Sequence, residues 1–374
     1  MYFGFIGLGQ AGGNISDLAA KHFYTSTAIN YSETDLKSVN HIPDEMIHTL
    51  IGSEGVGKDR ELAKQLMRDN WESTVSFVKK HLSKPSIEVI FVPFGTGGGS
   101  GSGMSSLLLE ILSNEMPDKT FVACPIIPAN NETLNNKLNA LEALSELADL
   151  DFCTIPIDNN TVLSNSDSFI SKNIIYKKTN EEFISLINKL LEYTNKSSEN
   201  GVIDRKDLRQ IFSVKGISVI GAAKVMEVSG TSLKTEHFAK KIQESWINSI
   251  FSPIEYDQVI RAGIIFNGDD LLMEYMDYDE IFKVFKTKKP YDLFEGNYKE
   301  KRGEVISVLS GLPWINSRMQ ELDNLADTEE MALSNVNVSE YKPKSRKKTI
   351  VTSRSKTTKT KSNPTDVFNK YLNR

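Results

Sequence analysis

Short apolar runs alternate along this chain with stretches whose apolar residues recur every three or four positions. Phe3-Gly4-Phe5-Ile6 is the first run, and helical spacing through Ile15, Leu18 and Ala19 follows it. Leu62, Leu66, Trp71, Val75, Val78 and Leu82 mark one face of a second helix, read as packing on a sheet. Strands at 87–94, 120–127 and 152–157 then alternate with helices at 104–112 and 132–149. Continuous apolar strands between amphipathic helices predict an α/β fold with a doubly wound, mostly parallel sheet. A long helix over 181–193 carries Phe183, Ile184, Ile187, Leu190 and Leu191 on one side. Beyond it, strands at 217–223, 259–266 and 304–309 and helices at 237–250 and 314–333 predict a smaller α+β region.

Glycine punctuates this pattern at two strand-to-helix junctions and in one further loop. Gly95-Thr96-Gly97-Gly98-Gly99-Ser100-Gly101-Ser102-Gly103 joins the 87–94 strand to its helix. Glycine lets backbone N–H groups approach a ligand closely, and a helix N-terminus adds unpaired donors and a positive dipole end. Together they make a phosphate cradle. Gly7-Leu8-Gly9-Gln10-Ala11-Gly12-Gly13-Asn14 is a second such turn and contains G-x-G-x-x-G, the dinucleotide fingerprint. An NAD-dependent oxidoreductase is therefore an open alternative, although the next strand ends on Asn30 where that fingerprint wants an acid. Gly52 to Asp59 approaches a P-loop, but Asp59 stands where a magnesium-binding Ser or Thr belongs, so the segment reads as a loop lining a phosphate pocket. Asp204 and Asp207 lie three apart at the start of another helix. They can share a face as a carboxylate pair, or serve as N-cap and dipole complement.

Composition sharpens the picture in two places. Cys124 and Cys153 sit in apolar strands, as small core residues of a reduced protein rather than a disulfide scaffold. No apolar run is long enough to span a bilayer and the start lacks a signal-peptide pattern, so a cytoplasmic protein with no membrane partner is expected. The whole-chain charge of −5 hides a contrast: residues 342–374 hold eleven Lys or Arg and one acid, so this tail carries +10 and the rest −15. The tail is expected to be disordered, ending in a short helix after Asn363-Pro364 with Val367, Phe368, Tyr371 and Leu372 on one face.

These motifs and their spacing resemble the tubulin/FtsZ superfamily of polymerising GTPases. Gly97 to Gly103 matches its signature G-G-G-T/S-G-S/T-G, Gly9 to Asn14 its first phosphate loop, and Asp204-x-x-Asp207 with the following helix its catalytic loop. The resemblance implies GTP/GDP as ligand with Mg²⁺, and nucleotide contacts from Gly9, Gln10, Ala11, Gly12, Asn14, Gly97, Gly98, Gly99, Ser100 and Gly101. It places Glu132 at the ribose, Tyr176 and Asn180 at the guanine, and Gly55, Gly57 and Lys58 at the γ-phosphate. Ile157 replaces the family's base-contacting Asn, with Asp158 or Asn159 as substitutes. Gln10 is the side chain implied for the metal, and Asp204 and Asp207 are the implied catalytic pair, acting on a neighbouring subunit's nucleotide. The implied division is a GTP-binding domain over 1–176, a central helix and catalytic loop over 177–213, an activation domain over 214–335 and a basic tail over 336–374. Divergence and tail are similar to the plasmid- and phage-encoded TubZ branch. That similarity implies head-to-tail filaments that move DNA through a DNA-binding, TubR-like adaptor on centromere-like DNA. A polymer that binds GTP without hydrolysing it is a further alternative.

Overall fold

The computed structural model describes residues 2–164, 171–198, 200–225, 234–300 and 302–334. The predicted disordered tail and its terminal helix lie outside the described residues. In chain order the first half comprises β1 (Phe3–Leu8), α1 (Gly9–Lys21), β2 (Thr25–Asn30), α2 (Glu33–Leu36), β3 (Ile47–Thr49), α3 (Arg60–Leu82), β4 (Val89–Gly95), α4 (Ser100–Glu115), β5 (Thr120–Ile127) and α5 (Leu134–Asp149). Then follow β6 (Cys153–Thr154), β7 (Ile157–Asp158), α6 (Asn159–Ser164), α7 (Lys172–Tyr193) and α8 (Arg205–Ile211). The remainder is β8 (Gly216–Lys224), α9 (Thr235–Ile247), β9 (Arg261–Asn267), α10 (Asp270–Met273), α11 (Tyr278–Phe282), β10 (Asp292–Tyr298), β11 (Glu304–Leu312) and α12 (Asn316–Ser334).

All strands join one sheet in the order β10-β9-β11-β8-β6-β5-β4-β1-β2-β3, with β7 paired to β5. From β3 to β8 every pairing is parallel, whereas β11 runs antiparallel to both β8 and β9. This is the predicted α/β, parallel-dominated fold. Strands β1 and β4 are buried nearly throughout, as a parallel sheet covered on both faces requires. The chain runs outward from β1 to β2 and β3, then returns to the other side of β1 with β4. That reversal opens a crevice beyond the carboxyl ends of β1 and β4, the general ligand position in such sheets.

Phe91 on β4 ties the layers together: it stacks on Phe5 at 5.3 Å and meets Phe3, Phe183 and Phe212 edge-on at 5.1, 6.4 and 5.5 Å. Phe183, Ile184, Ile187 and Leu190 on α7 are buried, which matches the apolar stripe predicted for that helix. Three local expectations fail for physical reasons. The strand expected at 152–157 is broken into β6 and β7 at Pro156, which has no N–H for the ladder. Trp71 is 37% exposed rather than packed, because Met67, Thr74 and Val75 take the inward positions of α3. The edge strand β10 was not expected, since Asp-Leu-Phe-Glu-Gly-Asn-Tyr shows no alternation of apolar and polar residues. Cys124 and Cys153 are buried free thiols, both pushed up by burial.

Candidate functional site

Two glycine turns meet at the reversal point. Leu8 is extended, and Gly9 turns the chain into α1 with a left-handed φ of 67°. A Cβ on Gly9 would come within 2.9 Å of the Gly101 amide nitrogen, so only glycine lets the two turns touch. Helices α1 and α4 both begin here without a side-chain cap and without an acid in the first turn. Their first N–H groups and positive dipole ends therefore face the crevice uncompensated, which is the physical description of an anion site. Gly98 is exposed at its floor, with open space where a Cβ would stand.

The third wall is the loop before α3. Glu54, Gly55, Val56, Gly57 and Lys58 line a chamber of about 420 Å³ together with Gly9, Gln10, Gly98, Gly99, Ser100 and Gly101. Lys58 adopts a left-handed φ of 70°, and Asp59 caps α3 by accepting from the Leu62 N–H at 3.0 Å. The acid that spoils the P-loop pattern is thus a helix cap. Asn139 of α5 stitches the walls together by donating to the carbonyls of Lys58, Gly97 and Gly98 at 3.1, 3.3 and 3.3 Å. Below them the Arg60 guanidinium, almost fully buried, pairs with Glu142 and Glu146 at 2.5 and 2.8 Å and donates to the Ser102 carbonyl.

A second chamber of about 260 Å³ continues from the first through Gln10, Ala11, Gly95 and Gly98. The side chains of Asn14, Asn136, Asn159 and Asn180 line it beside Glu132 and Tyr176. Uncharged amides offer both donors and acceptors, the chemistry that reads the edge of a base. Tyr176 and Asn180 stand one turn apart on α7. The Tyr176 phenol is pushed up to about 12 by burial and by Glu132, so it stays protonated and donates to Glu132 at 3.3 Å. Glu132 also accepts from Asn136 at 2.6 Å and from the Ala129 N–H at 3.2 Å. Of the two candidates beside Ile157, Asn159 lines the chamber, while Asp158 is buried in an ion pair with Arg318 at 2.7 Å. Gly12 alone among the proposed nucleotide contacts lies outside both chambers, packed so that a Cβ would meet the Pro93 carbonyl at 2.0 Å. Asn136 and Asn139 escaped the sequence reading, because a polar face on α5 carries no signal of what it touches.

Asp204 and Asp207 are at the other end of the sheet. They flank the start of α8 as a reciprocal cap: Asp204 Oδ1 accepts from the N–H groups of Lys206 and Asp207 at 2.7 and 2.9 Å, and Asp207 Oδ2 accepts from the Asp204 N–H at 2.8 Å. Asp204 is exposed and Asp207 half-buried. The Asp207 carboxyl is raised above its usual range, first by burial and then by the Asp204 charge. Helix α8 is fixed to the strand starts: Tyr2 bonds the Arg205 carbonyl, and Arg209 reaches Glu88 at 3.0 Å and the Asp118 carbonyl at 2.7 Å. Strand β1 separates this end from the cradle by six residues, about 20 Å.

Among the described residues no group of three His, Cys, Asp or Glu side chains could hold a metal ion. The donors at the cradle suit an ion carried in by phosphate oxygens rather than one caged by protein, and Gln10 lines both chambers. No helix among the described residues is long and apolar enough to cross a membrane.

Comparison with known proteins agrees with this geometry. Residues 4–167 match the Tubulin/FtsZ family, GTPase domain. The chain is 26% identical over 317 residues to the tubulin-like protein CetZ of Pyrococcus horikoshii, covering 82% of this chain and 84% of that one. It is 27% identical to the tubulin-like protein TubZ of Clostridium botulinum C phage over 58% of each chain. A GTPγS-form protofilament of Bacillus thuringiensis serovar israelensis TubZ shares the fold with a TM-score of 0.76 at 17% identity, over 90% of this chain and 95% of that one. Relatives of both the CetZ and TubZ kinds are thus present. The glycine cradle at the reversal of the sheet lies within the span, residues 4–167, that matches the Tubulin/FtsZ family's GTPase domain, and the chain as a whole is similar to tubulin-like proteins.

Proposed function

We propose that this protein hydrolyses GTP at the junction between two subunits stacked head to tail. The observation that carries the reading is the separation of cradle and acids by the length of β1. One chain cannot bring Asp204 and Asp207 to a phosphate bound at its own Gly98. A second chain, placed with its α8 end over the crevice, can. Such a contact is heterologous and repeats into a filament.

The uncapped ends of α1 and α4 and the glycine loop N–H groups hold the phosphates. Lys58 supplies charge beside them, and the amide-lined chamber takes the guanosine. Gln10 would help hold an Mg²⁺ bound with the nucleotide, and the ion would supply charge neutralisation at the transferred phosphoryl group. The partner's aspartates then polarise the attacking water. Turnover per subunit therefore rises steeply once protein concentration permits assembly. Turnover per subunit that is the same at any dilution would refute the shared site. Binding of GTP but not NAD separates this reading from the oxidoreductase alternative, and phosphate release during assembly separates it from an inert polymer.

The finer role proposed is DNA movement. It rests on the +10 charge of residues 342–374 and on similarity to a phage TubZ. The tail engages a DNA-binding, TubR-like adaptor on centromere-like DNA while the filament grows in the cytoplasm. Deleting 342–374 should leave polymer formation intact and abolish capture of adaptor-bound DNA.

A further inference from the structure

The amide-lined chamber is held from behind by a helix that contributes nothing to its lining. On α12, Arg318, Leu322, Ala326 and Glu329 recur at helical spacing and form one stripe. Leu322 and Ala326 are buried, and the two ends of the stripe are charged. Arg318, 1% exposed, grips Asp158 with two nitrogens at 2.7 and 3.3 Å. It also donates to the Pro128 carbonyl at 3.0 Å and to Asn130 at 2.6 Å. Asp158 immediately precedes Asn159, and Pro128 lines the same chamber. At the far end Glu329 meets the fully buried Lys137 at 2.6 Å, and Lys137 donates to the Glu132 carbonyl at 2.6 Å. Two buried cations thus fix the backbone on both sides of the chamber, one supplied by α12 and one anchored to it.

Buried charges are expensive unless fully paired, and such pairs add little to stability compared with apolar packing. Their value lies in fixed direction: the Arg fork holds a carboxylate in one orientation, which lysine cannot do. A site whose lining groups are locked by a supporting layer binds without first ordering itself. We infer that Arg318 and Glu329 of α12 are positioning residues for the nucleoside half of the site, acting through Asp158 and Lys137. They do nothing for the phosphate half. This rests on the nucleotide reading given above.

The test uses the full chain with two probes, GTP for the whole site and inorganic tripolyphosphate for the cradle alone. Arg318→Lys keeps the charge and loses the fork; it should weaken GTP about tenfold, the loss of one or two charge-assisted hydrogen bonds. Glu329→Ala, a change on the half-exposed outer end, should weaken GTP about threefold, the scale of a partly solvated pair. In both variants tripolyphosphate affinity and the turnover at saturating GTP stay at the wild-type level, so that KM moves and kcat does not. Unchanged GTP affinity in both folded variants overturns the inference. So does a parallel fall for both probes, which marks general loosening of the fold. Wild-type protein that binds tripolyphosphate but not GTP instead overturns the nucleotide reading itself, and this inference with it.

Discussion

The two ends of the parallel sheet treat helix N-termini in opposite ways. At the carboxyl ends of β1 and β4, helices α1 and α4 start with no side-chain cap and no acid. At the amino end, α8 starts inside a reciprocal cap of two aspartates. An uncapped N-terminus in a crevice is costly unless an anion arrives, whereas a capped one is complete and can lend its charge outward. One end is therefore built to receive negative charge and the other to offer it. The proposed shared site follows from this difference: the acids of one subunit would serve the cradle of another.

This contrast can be broken at either end. The largest effect is expected from Asp207→Ala, which should cut GTP turnover by about 100-fold or more, the scale of a lost acid–base group, while GTP affinity holds. Phosphate release and nucleotide titration read the two quantities. At the receiving end, Gly9→Ala forces a side chain into the Gly101 amide at a left-handed φ, and GTP affinity should fall by at least about tenfold. Gly98→Ala points into open space and should cost at most about threefold, comparable to a minor conformational change in the loop. If the two glycine variants behave alike, the abutting turns are not what shapes the cradle.

A finer cut separates capping from chemistry at α8. Asp204→Asn keeps a good cap and Asp204→Ala does not, so the alanine variant should lose about 1 kcal/mol in chemical denaturation and the asparagine variant far less. Both should lose turnover. The smallest expected effect is in pH dependence. On the catalytic role proposed for Asp207, whose carboxyl is raised by burial and by Asp204, the acidic limb of turnover should lie above the ordinary carboxylate range. Asp204→Asn removes the second cause and moves that limb down, with the shift from burial left in place. The stability sign follows: a carboxyl raised in the folded state favours folding when protonated, so wild type loses stability relative to Asp207→Asn as pH rises through that pKa.

Much of the cradle was readable in the sequence because backbone proximity leaves glycine as the only choice, as at Gly9 against Gly101. The sheet was readable because its central strands, β1 and β4, are buried almost throughout and so read as continuous apolar runs. What stayed hidden depends on tertiary crossing. Asn139 stitches three carbonyls from two loops, yet in sequence it is one more polar residue on a helix. Arg318 carries no signal in the sequence and is among the most buried charges of the described residues. The break at Pro156 was marked by a residue with a known meaning, and only the continuous apolar flanks concealed it.

Placing the acids a full strand away from the cradle has a genetic consequence. On the proposed head-to-tail reading, a subunit altered only at Asp207 should keep its own binding pocket and enter a polymer normally, but leave the molecule on one side of it without a catalyst. Such a variant should act as a dominant poison. When it is co-assembled with wild type, output should fall with the share of defective junctions, and nucleotide should accumulate unspent in otherwise healthy neighbours.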